Sequence, residues 1–305
     1  MTTTISSVRL EQRDDQWVPV AAPRLSWITT SDIAGWRQAG AELEWWDGEK
    51  TTVVQLDSNE SALVKWPFAD LLPRQRGRLK LRVRGPDGWS GWSELVAVAA
   101  AFLGPGEWQA RFIGLKDPEN EQQPVLLRHE FAVGAGLSRA TLFATAQGVY
   151  QAWINGQPVD DQVLKPGWTP FEQRLIHETT DVTALILPGD NAIAVALAGG
   201  WFTERYGFGG LAQRVYGTQP AFAGQLLLEY ADGRLEWITS AADWQGSADG
   251  PWLSAGIYDG ETYDARRACP DWSRAGFPAA GWELAEVRPG GPVPEPRSGP
   301  ETRVI

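Results

Sequence analysis

Arg78-Leu-Lys-Leu-Arg-Val-Arg84, followed by Gly85-Pro-Asp-Gly88 and Trp89-Ser-Gly-Trp-Ser93, is the stretch that decides the fold. Leu79, Leu81 and Val83 alternate strictly with Arg78, Lys80, Arg82 and Arg84. A period of two puts one row of side chains on the core face of a β-strand and a cationic row on the other. The Pro86-Asp-Gly88 triplet reads as a turn, which sends the chain back along the strand and brings Trp89 and Trp92 toward the cationic row. Arg82 and Arg84 offer guanidinium planes two residues apart, and the indoles interleave between them as cation–π partners. The stretch predicts a β-sheet whose last strand is locked by a structural ladder of Trp89, Trp92, Arg82 and Arg84.

Upstream, Pro23-Arg-Leu-Ser-Trp27, Ala41-Glu-Leu-Glu-Trp45 and Thr52-Val-Val-Gln-Leu56 are further strand-like runs, with no helix of useful length between Val8 and Leu103. The Trp-Ser-x-Trp-Ser pattern resembles that of fibronectin type III-like domains. Downstream, the Gly104-Pro-Gly106 turn marks a boundary. Beyond it the strand-like runs are Val125–Val133, Arg139–Thr145, Val149–Asn155, Gln173–Glu178, Ala192–Ala198, Gly224–Tyr230 and Leu235–Thr239. Turns fall at Asn155-Gly156, Pro188-Gly-Asp190 and Asp232-Gly233. Even spacing without helical periodicity implies an antiparallel sandwich of jelly-roll type, the fold class of the carbohydrate-binding-module-like domain that the resemblance given below implies. The reading is therefore all-β with two antiparallel β-sandwich domains: residues 1–104, fibronectin type III-like, and 105–288, jelly-roll. Residues 289–305 read as a proline-rich linker that ends in Glu301-Thr-Arg-Val-Ile305, like the start of another strand.

Composition narrows the function. A chain of 305 residues suits two domains, each able to bury its own core. With 38 acidic against 27 basic residues the formal charge is -11, which disfavours nucleic acid and anionic membrane surfaces as partners. Cys269 is the single cysteine, so an intramolecular disulfide is excluded. The N-terminal Met1-Thr-Thr-Thr-Ile-Ser-Ser7 lacks a basic and an apolar signal region, and the expectation is a cytoplasmic protein. No apolar run reaches the ~20 residues needed to span a bilayer.

The second domain carries the more specific signal. The ordered blocks Gly148-Val-Tyr150, Asn155-Gly156, Leu164-Lys-Pro-Gly-Trp-Thr169, Thr180-Asp-Val-Thr183, Pro188-Gly-Asp-Asn191 and Gly199-Gly-Trp201 resemble the N-terminal sandwich of the bacterial α-L-rhamnosidases, glycoside hydrolase family 78. Ile257-Tyr-Asp-Gly-Glu-Thr-Tyr-Asp-Ala-Arg266 and Trp108-Gln-Ala-Arg-Phe-Ile-Gly114 are similar to further signatures of the same domain. The resemblance covers nearly the whole chain but only the front of the family. It implies a downstream (α/α)6 barrel holding the catalytic acids, and nothing in this sequence corresponds to that barrel. The expectation is an accessory region without catalytic residues, which buttresses or presents a catalytic domain and weakly binds rhamnose-containing glycans. A stand-alone lectin-like module is the alternative.

Seventeen tryptophans supply flat apolar faces that either fill sandwich cores or stack on sugar rings. Trp168 and Trp201 lie in Gly-Trp turns rather than at alternating strand positions, and Trp201 precedes Phe202, Glu204, Arg205 and Tyr206. An aromatic face beside hydrogen-bonding groups suits a sugar; plugging the end of the sandwich is the competing reading. The acids Asp259, Glu261 and Asp264 are the densest set for a paired-carboxylate hydrolase, yet in an Asp-Gly turn beside Arg266 they suit ion pairs and turn bonds better. Some members of the resembled family bind rhamnose through calcium, and by that resemblance acidic and amide ligands line loops at one end of the sandwich. Here the loop Ala144-Thr-Ala-Gln-Gly148 has no carboxylate, which speaks against calcium; the reading is no metal site and no cofactor, with calcium as the alternative left open. His129 and His177 sit in strand-like runs without a ligand cluster, and Gly207-Phe-Gly-Gly210 reads as a mobile loop rather than a phosphate cradle.

Overall fold

A computed structural model describes residues 3–12, 17–116, 122–297 and 302–303. The chain divides into two compact units, Met1–Glu107 and Trp108–Arg297, so the unit boundary follows the short 3-10 turn Pro105–Glu107. The Glu107 carboxylate closes that turn by accepting from the Leu103 and Gly104 amides.

The first unit contains β1 (Thr3–Leu10), β2 (Trp17–Val18), β3 (Leu25–Ser31), β4 (Gly40–Trp46), β5 (Thr51–Leu56), β6 (Arg76–Gly85), β7 (Gly88–Trp89) and β8 (Val96–Ala100). β1 pairs with β3 in one sheet, and the other runs β2-β8-β6-β4-β5 with β7 on β6. All pairings are antiparallel except β2 with β8, which is parallel. Leu79, Leu81 and Val83 are fully buried, facing Leu43, Leu25 and Trp45 in one core. Burying a leucine or valine of this kind contributes roughly 1.5–3 kcal/mol.

On the opposite face of β6 the Arg82 guanidinium lies 5.0 Å from the Trp89 ring and 4.7 Å from the Trp92 ring, with Arg84 5.6 Å from Trp89. Lys80 adds a fourth contact, 4.7 Å from Trp92. The serines fix the spacing. Ser90 and Ser93 donate their amides to the Val83 and Leu81 carbonyls, and their hydroxyls accept from the same two residues' amides.

The second unit contains β9 (Ile113–Gly114), β10 (Val125–Val133), β11 (Leu137–Gln147), β12 (Val149–Ile154), β13 (Gln157–Pro158), β14 (Ile176–Asp181) and β15 (Gly189–Ala198). Then follow the hairpin β16 (Arg205–Tyr206) and β17 (Gln213–Arg214), β18 (Ala221–Tyr230), β19 (Leu235–Thr239) and β20 (Gln245–Ser247). A second hairpin, β21 (Trp252–Gly256) and β22 (Gly260–Tyr263), precedes β23 (Glu283–Leu284), β24 (Glu286–Val287) and β25 (Glu295–Pro296). One sheet runs β13-β12-β15-β10-β20-β23; the other runs β24-β9-β18-β11-β14-β25, with β19 also on β18. Between them lies a core of Leu127, Leu142, Ile154, Val195, Phe222, Leu226 and Trp244. Asn155 (φ 52) and Gly156 (φ 83) turn β12 into β13 with both residues left-handed, the pairing that Asn-Gly makes cheap.

Residues 289–297, expected as linker, run instead along this unit. β25 pairs in parallel with β14, Glu295 donates its amide to the Leu175 carbonyl, and Arg297 donates to the buried Glu178 carboxylate. Prolines misled the reading, because an edge position leaves an N–H unused and Pro296 is tolerated there. Of the five last residues, Thr302 accepts from the Val163 amide and Arg303 bridges Gln162; Glu301, Val304 and Ile305 lie outside the described residues, as do Met1 and Thr2.

Candidate functional site

The turn Gly199-Gly200-Trp201 is built around glycine. A Cβ on Gly199 would fall 1.8 Å from Thr203 Oγ1, and Gly200, at φ +49, would meet Val149 Cγ1 at 2.6 Å. The turn sends Phe202 into a second apolar cluster with Phe171, Phe112 and Leu175, and Trp201 packs partly buried against it. β16 and β17 follow, and their tip is closed by a 3-10 turn, Gly209–Leu211. The Gly207–Gly210 stretch read as a mobile loop is therefore a hairpin end, held by Arg205 Nη2 on the Ala212 carbonyl (3.0 Å) and Arg214 Nε on the Thr203 carbonyl (2.9 Å).

Tyr206 joins the two Gly-Trp turns. Its hydroxyl donates to the Trp201 carbonyl at 2.8 Å, with the Trp168 side chain beside it. Its ring meets Tyr216 and Tyr258 edge-on at 5.8 and 6.5 Å. Burial, seconded by Tyr216, Tyr258 and the Glu204 charge, pushes the phenol up to about 12. Trp168, at 53% exposure, is the open aromatic plate of this group.

Glu204 and Arg205 do not join it as sugar-facing groups. Glu204 is 5% exposed; its Oε2 accepts from the Ile257 amide at 2.8 Å and its Oε1 from the Arg205 amide at 2.9 Å. It anchors the β21–β22 hairpin from below. The order of residues put Glu204 beside Trp201, but the buried carboxylate answers unpaired amides of a loop that is 53 residues away in sequence.

The three loop acids are also engaged or apart. Asp259 accepts from Gln122 Nε2 at 3.0 Å. Asp264 caps the 3-10 turn Ala265–Arg267 and forks onto Arg266, whose side-chain bonds hold the carboxyl below its ordinary range. Glu261 alone lines a cavity.

That cavity, a cleft of about 440 Å³, was not foreseen. β15 alternates Ile193, Val195 and Leu197 on the core side with Ala194, Ala196 and Ala198 on the other. The small side chains leave room above the sheet. Gln162, Val163 and Leu164 form one wall, and Trp252, Ile257 and Glu261 belong to the other. The alternation of alanines was the available signal. Its meaning depends on loops arriving from two distant segments, which no local pattern specifies.

The histidines are structural. His177 is fully buried, stacked on Trp108 at 5.7 Å, and His129 stacks on Trp244 at 5.6 Å, where burial lowers its pKa. Among the described residues no group of three or more His, Cys, Asp or Glu side chains could hold a metal ion.

Comparison with known proteins bears on this arrangement. The model of the α-L-rhamnosidase N-terminal domain matches residues 135–302, and that of the Rha78A-like N-terminal immunoglobulin domain matches residues 5–104. An α-L-rhamnosidase of Streptomyces avermitilis is 42% identical over 64% of this chain, and one of Alteromonas sp. 30% identical over 78%. The chain spans only 19% and 26% of those proteins' lengths. The crystal structure of a native α-L-rhamnosidase from Aspergillus terreus superposes with a TM-score of 0.90 at 33% identity, over 94% of this chain and 34% of that one. A Streptomyces avermitilis α-L-rhamnosidase complexed with L-rhamnose shares the fold (TM-score 0.85, 22% identity, 96% of this chain and 45% of that one).

Proposed function

The chain belongs to the family of α-L-rhamnosidase N-terminal domains, and we propose that it is a non-catalytic accessory region which holds a terminal rhamnose of a glycan weakly on the Trp168 face. The hydrolytic activity, in this reading, belongs to a catalytic domain elsewhere in a longer protein. The observation that carries the sugar-binding role is the placement of Trp168: half exposed, beside a Tyr206 hydroxyl that is itself bonded to Trp201. An indole exposed at the surface offers its face to the CH face of a sugar. The competing scaffold reading draws on Trp201, which is packed on the apolar cluster and offers little free face.

The test is a calorimetric titration of the 305-residue chain with L-rhamnose, with and without calcium. Saturable binding in the millimolar range, about -4 kcal/mol at 1 mM, that disappears in Trp168→Ala supports the sugar-binding role. No binding at tens of millimolar leaves the scaffold role. Release of an aryl group from an aryl α-L-rhamnoside at high protein concentration, lost when Asp259, Glu261 and Asp264 are all alanine, would refute the non-catalytic assignment.

A further inference from the structure

We propose that the alanine-floored cleft on the outer face of β12 and β15 is a second ligand site, distinct from the Trp168 face, and that it takes a neutral hydroxylated aromatic ring.

Its walls are built rather than incidental. Lys165 is 2% exposed, with its ammonium on both oxygens of Asp160 (2.7 and 2.8 Å) and 5.0 Å from the Tyr150 ring, and its carbonyl accepts from the Tyr150 amide. This clamp fixes Gln162 to Leu164. Leu164 is held left-handed (φ 57) with its side chain 43% exposed at the cleft, a conformation a leucine adopts only when its surroundings impose it. The floor is Ala196, Ala198 and Gly200, with Val149 and Gln151 of β12 beside them on the same face. The volume lies within the range of small-molecule sites.

One polar group in the wall is unmet. Gln162 is 7% exposed, lines the cleft, and among the described residues its Oε1 has no hydrogen-bond partner. A buried acceptor left unpaired forfeits the hydrogen bond it made with water, so a donor supplied from the cleft is favoured. Pairing takes a rotation about the terminal amide torsion, which is broad and low in energy.

The remaining lining selects the ligand class. Glu261 is the ionisable acid, no lysine, arginine or histidine lines the cleft, and the Tyr150 hydroxyl is already committed to the Ala144 carbonyl at 3.1 Å. An anion is therefore excluded. A pyranose carries several hydroxyls that each accept as well as donate, whereas the lining is mostly apolar and its side-chain N–H donors are those of Gln151, Gln162 and Trp252. A phenol has two apolar faces for the alanine floor and the Ile257 and Leu164 walls, and an edge proton for Glu261 or Gln162.

The test uses resorcinol as the probe, with 1,3-dimethoxybenzene, which lacks the donors, as its control, both followed by ligand-observed saturation-transfer NMR on the whole chain. The expected result is saturable resorcinol binding, at least fivefold weaker in Gln162→Leu, lost in Ala198→Leu, and at least tenfold weaker for the dimethyl ether on the unaltered protein. The ether comparison needs no variant, so a folding defect in Ala198→Leu does not spare the proposal. Absence of saturable resorcinol binding, equal affinity for the ether, no effect of Gln162→Leu, or displacement of resorcinol by L-rhamnose overturns it. Because L-rhamnose binding is scored separately through Trp168→Ala, failure here leaves the sugar-binding proposal standing, and the reverse.

Discussion

Arg297 closes on the buried carboxylate of Glu178, with Nε 2.7 and 2.9 Å from its two oxygens and Nη2 on the same group, while Nη2 also donates to the Pro166 carbonyl at 2.6 Å. The side chains are 14% and 4% exposed. Removing one member of a buried pair leaves the other charged and unsolvated, a loss of about 3–5 kcal/mol. Arg297→Ala is expected to lower the urea unfolding free energy of the second unit by that amount, and the double variant Glu178→Gln, Arg297→Met by less than Arg297→Ala alone. A loss below about 1 kcal/mol in the single variant would show that the segment after β24 is held by its strand pairing rather than by this pair.

The tryptophans of the first unit make a different kind of prediction. Arg82 lies over both Trp89 and Trp92, which are each 38% exposed, so each contact is worth about 0.5–1 kcal/mol. Arg82 also donates to Glu42 at 2.9 Å through Nε, so a single substitution at Arg82 mixes two effects. A double-mutant cycle with Arg82→Met and Trp92→Leu separates them. The expected coupling is about 1 kcal/mol in the thermal unfolding of the first unit, and zero coupling would reduce the ladder to simple surface packing.

Much of this fold is legible in the sequence because strand periodicity is local. β10 and β19 match the runs read at Val125–Val133 and Leu235–Thr239, and β6 extends the Arg78–Arg84 run by two residues before it and one after. The site is less legible. Trp168 and Trp201 signal themselves as turn residues, but their grouping around Tyr206 depends on how the β16 hairpin folds back, and Glu204 serves the distant Ile257 amide. The cleft depends on three segments meeting, and the parallel strand β25 on a proline-rich stretch whose only hint is its fit to an edge. Local pattern reaches none of these.

Three phenols give the chain a base-sensitive stability. Burial raises Tyr150, Tyr206 and Tyr230 above the ordinary tyrosine value, Tyr206 to about 12. In the unfolded chain these groups lose their protons near pH 10. The sign follows: below the unfolded value both states are protonated and the contribution is complete, and as pH rises from about 10 through about 12 the unfolded state is increasingly favoured. The urea midpoint of the second unit is expected to be flat from pH 8 to about 9.5 and to fall above pH 10. Absorbance at 295 nm should show a tyrosinate step that appears at lower pH once urea has unfolded the chain. Tyr206→Phe should reduce the slope in this range.

Glu204 is the residue whose loss should separate hairpin from sandwich. Its Oε2 receives the Ile257 amide at 2.8 Å and the Tyr258 amide at 3.4 Å, so alanine there strips acceptors from a hairpin that is otherwise mostly half-buried or exposed. Amides left without acceptors exchange with solvent. Glu204→Ala is expected to raise hydrogen exchange at Ile257 and Tyr258 at least tenfold while the amides of β10 and β15 stay protected, because those strands draw on the sandwich core. Glu204→Gln retains an acceptor oxygen and should restore most of the protection. Since the hairpin supplies Trp252, Ile257 and Glu261 to the cleft wall, the alanine variant should weaken resorcinol binding along with it. Unchanged exchange at Ile257 in Glu204→Ala would mean that the hairpin is held by its own cross-strand bonds, and that the buried carboxylate serves the Arg205 turn alone.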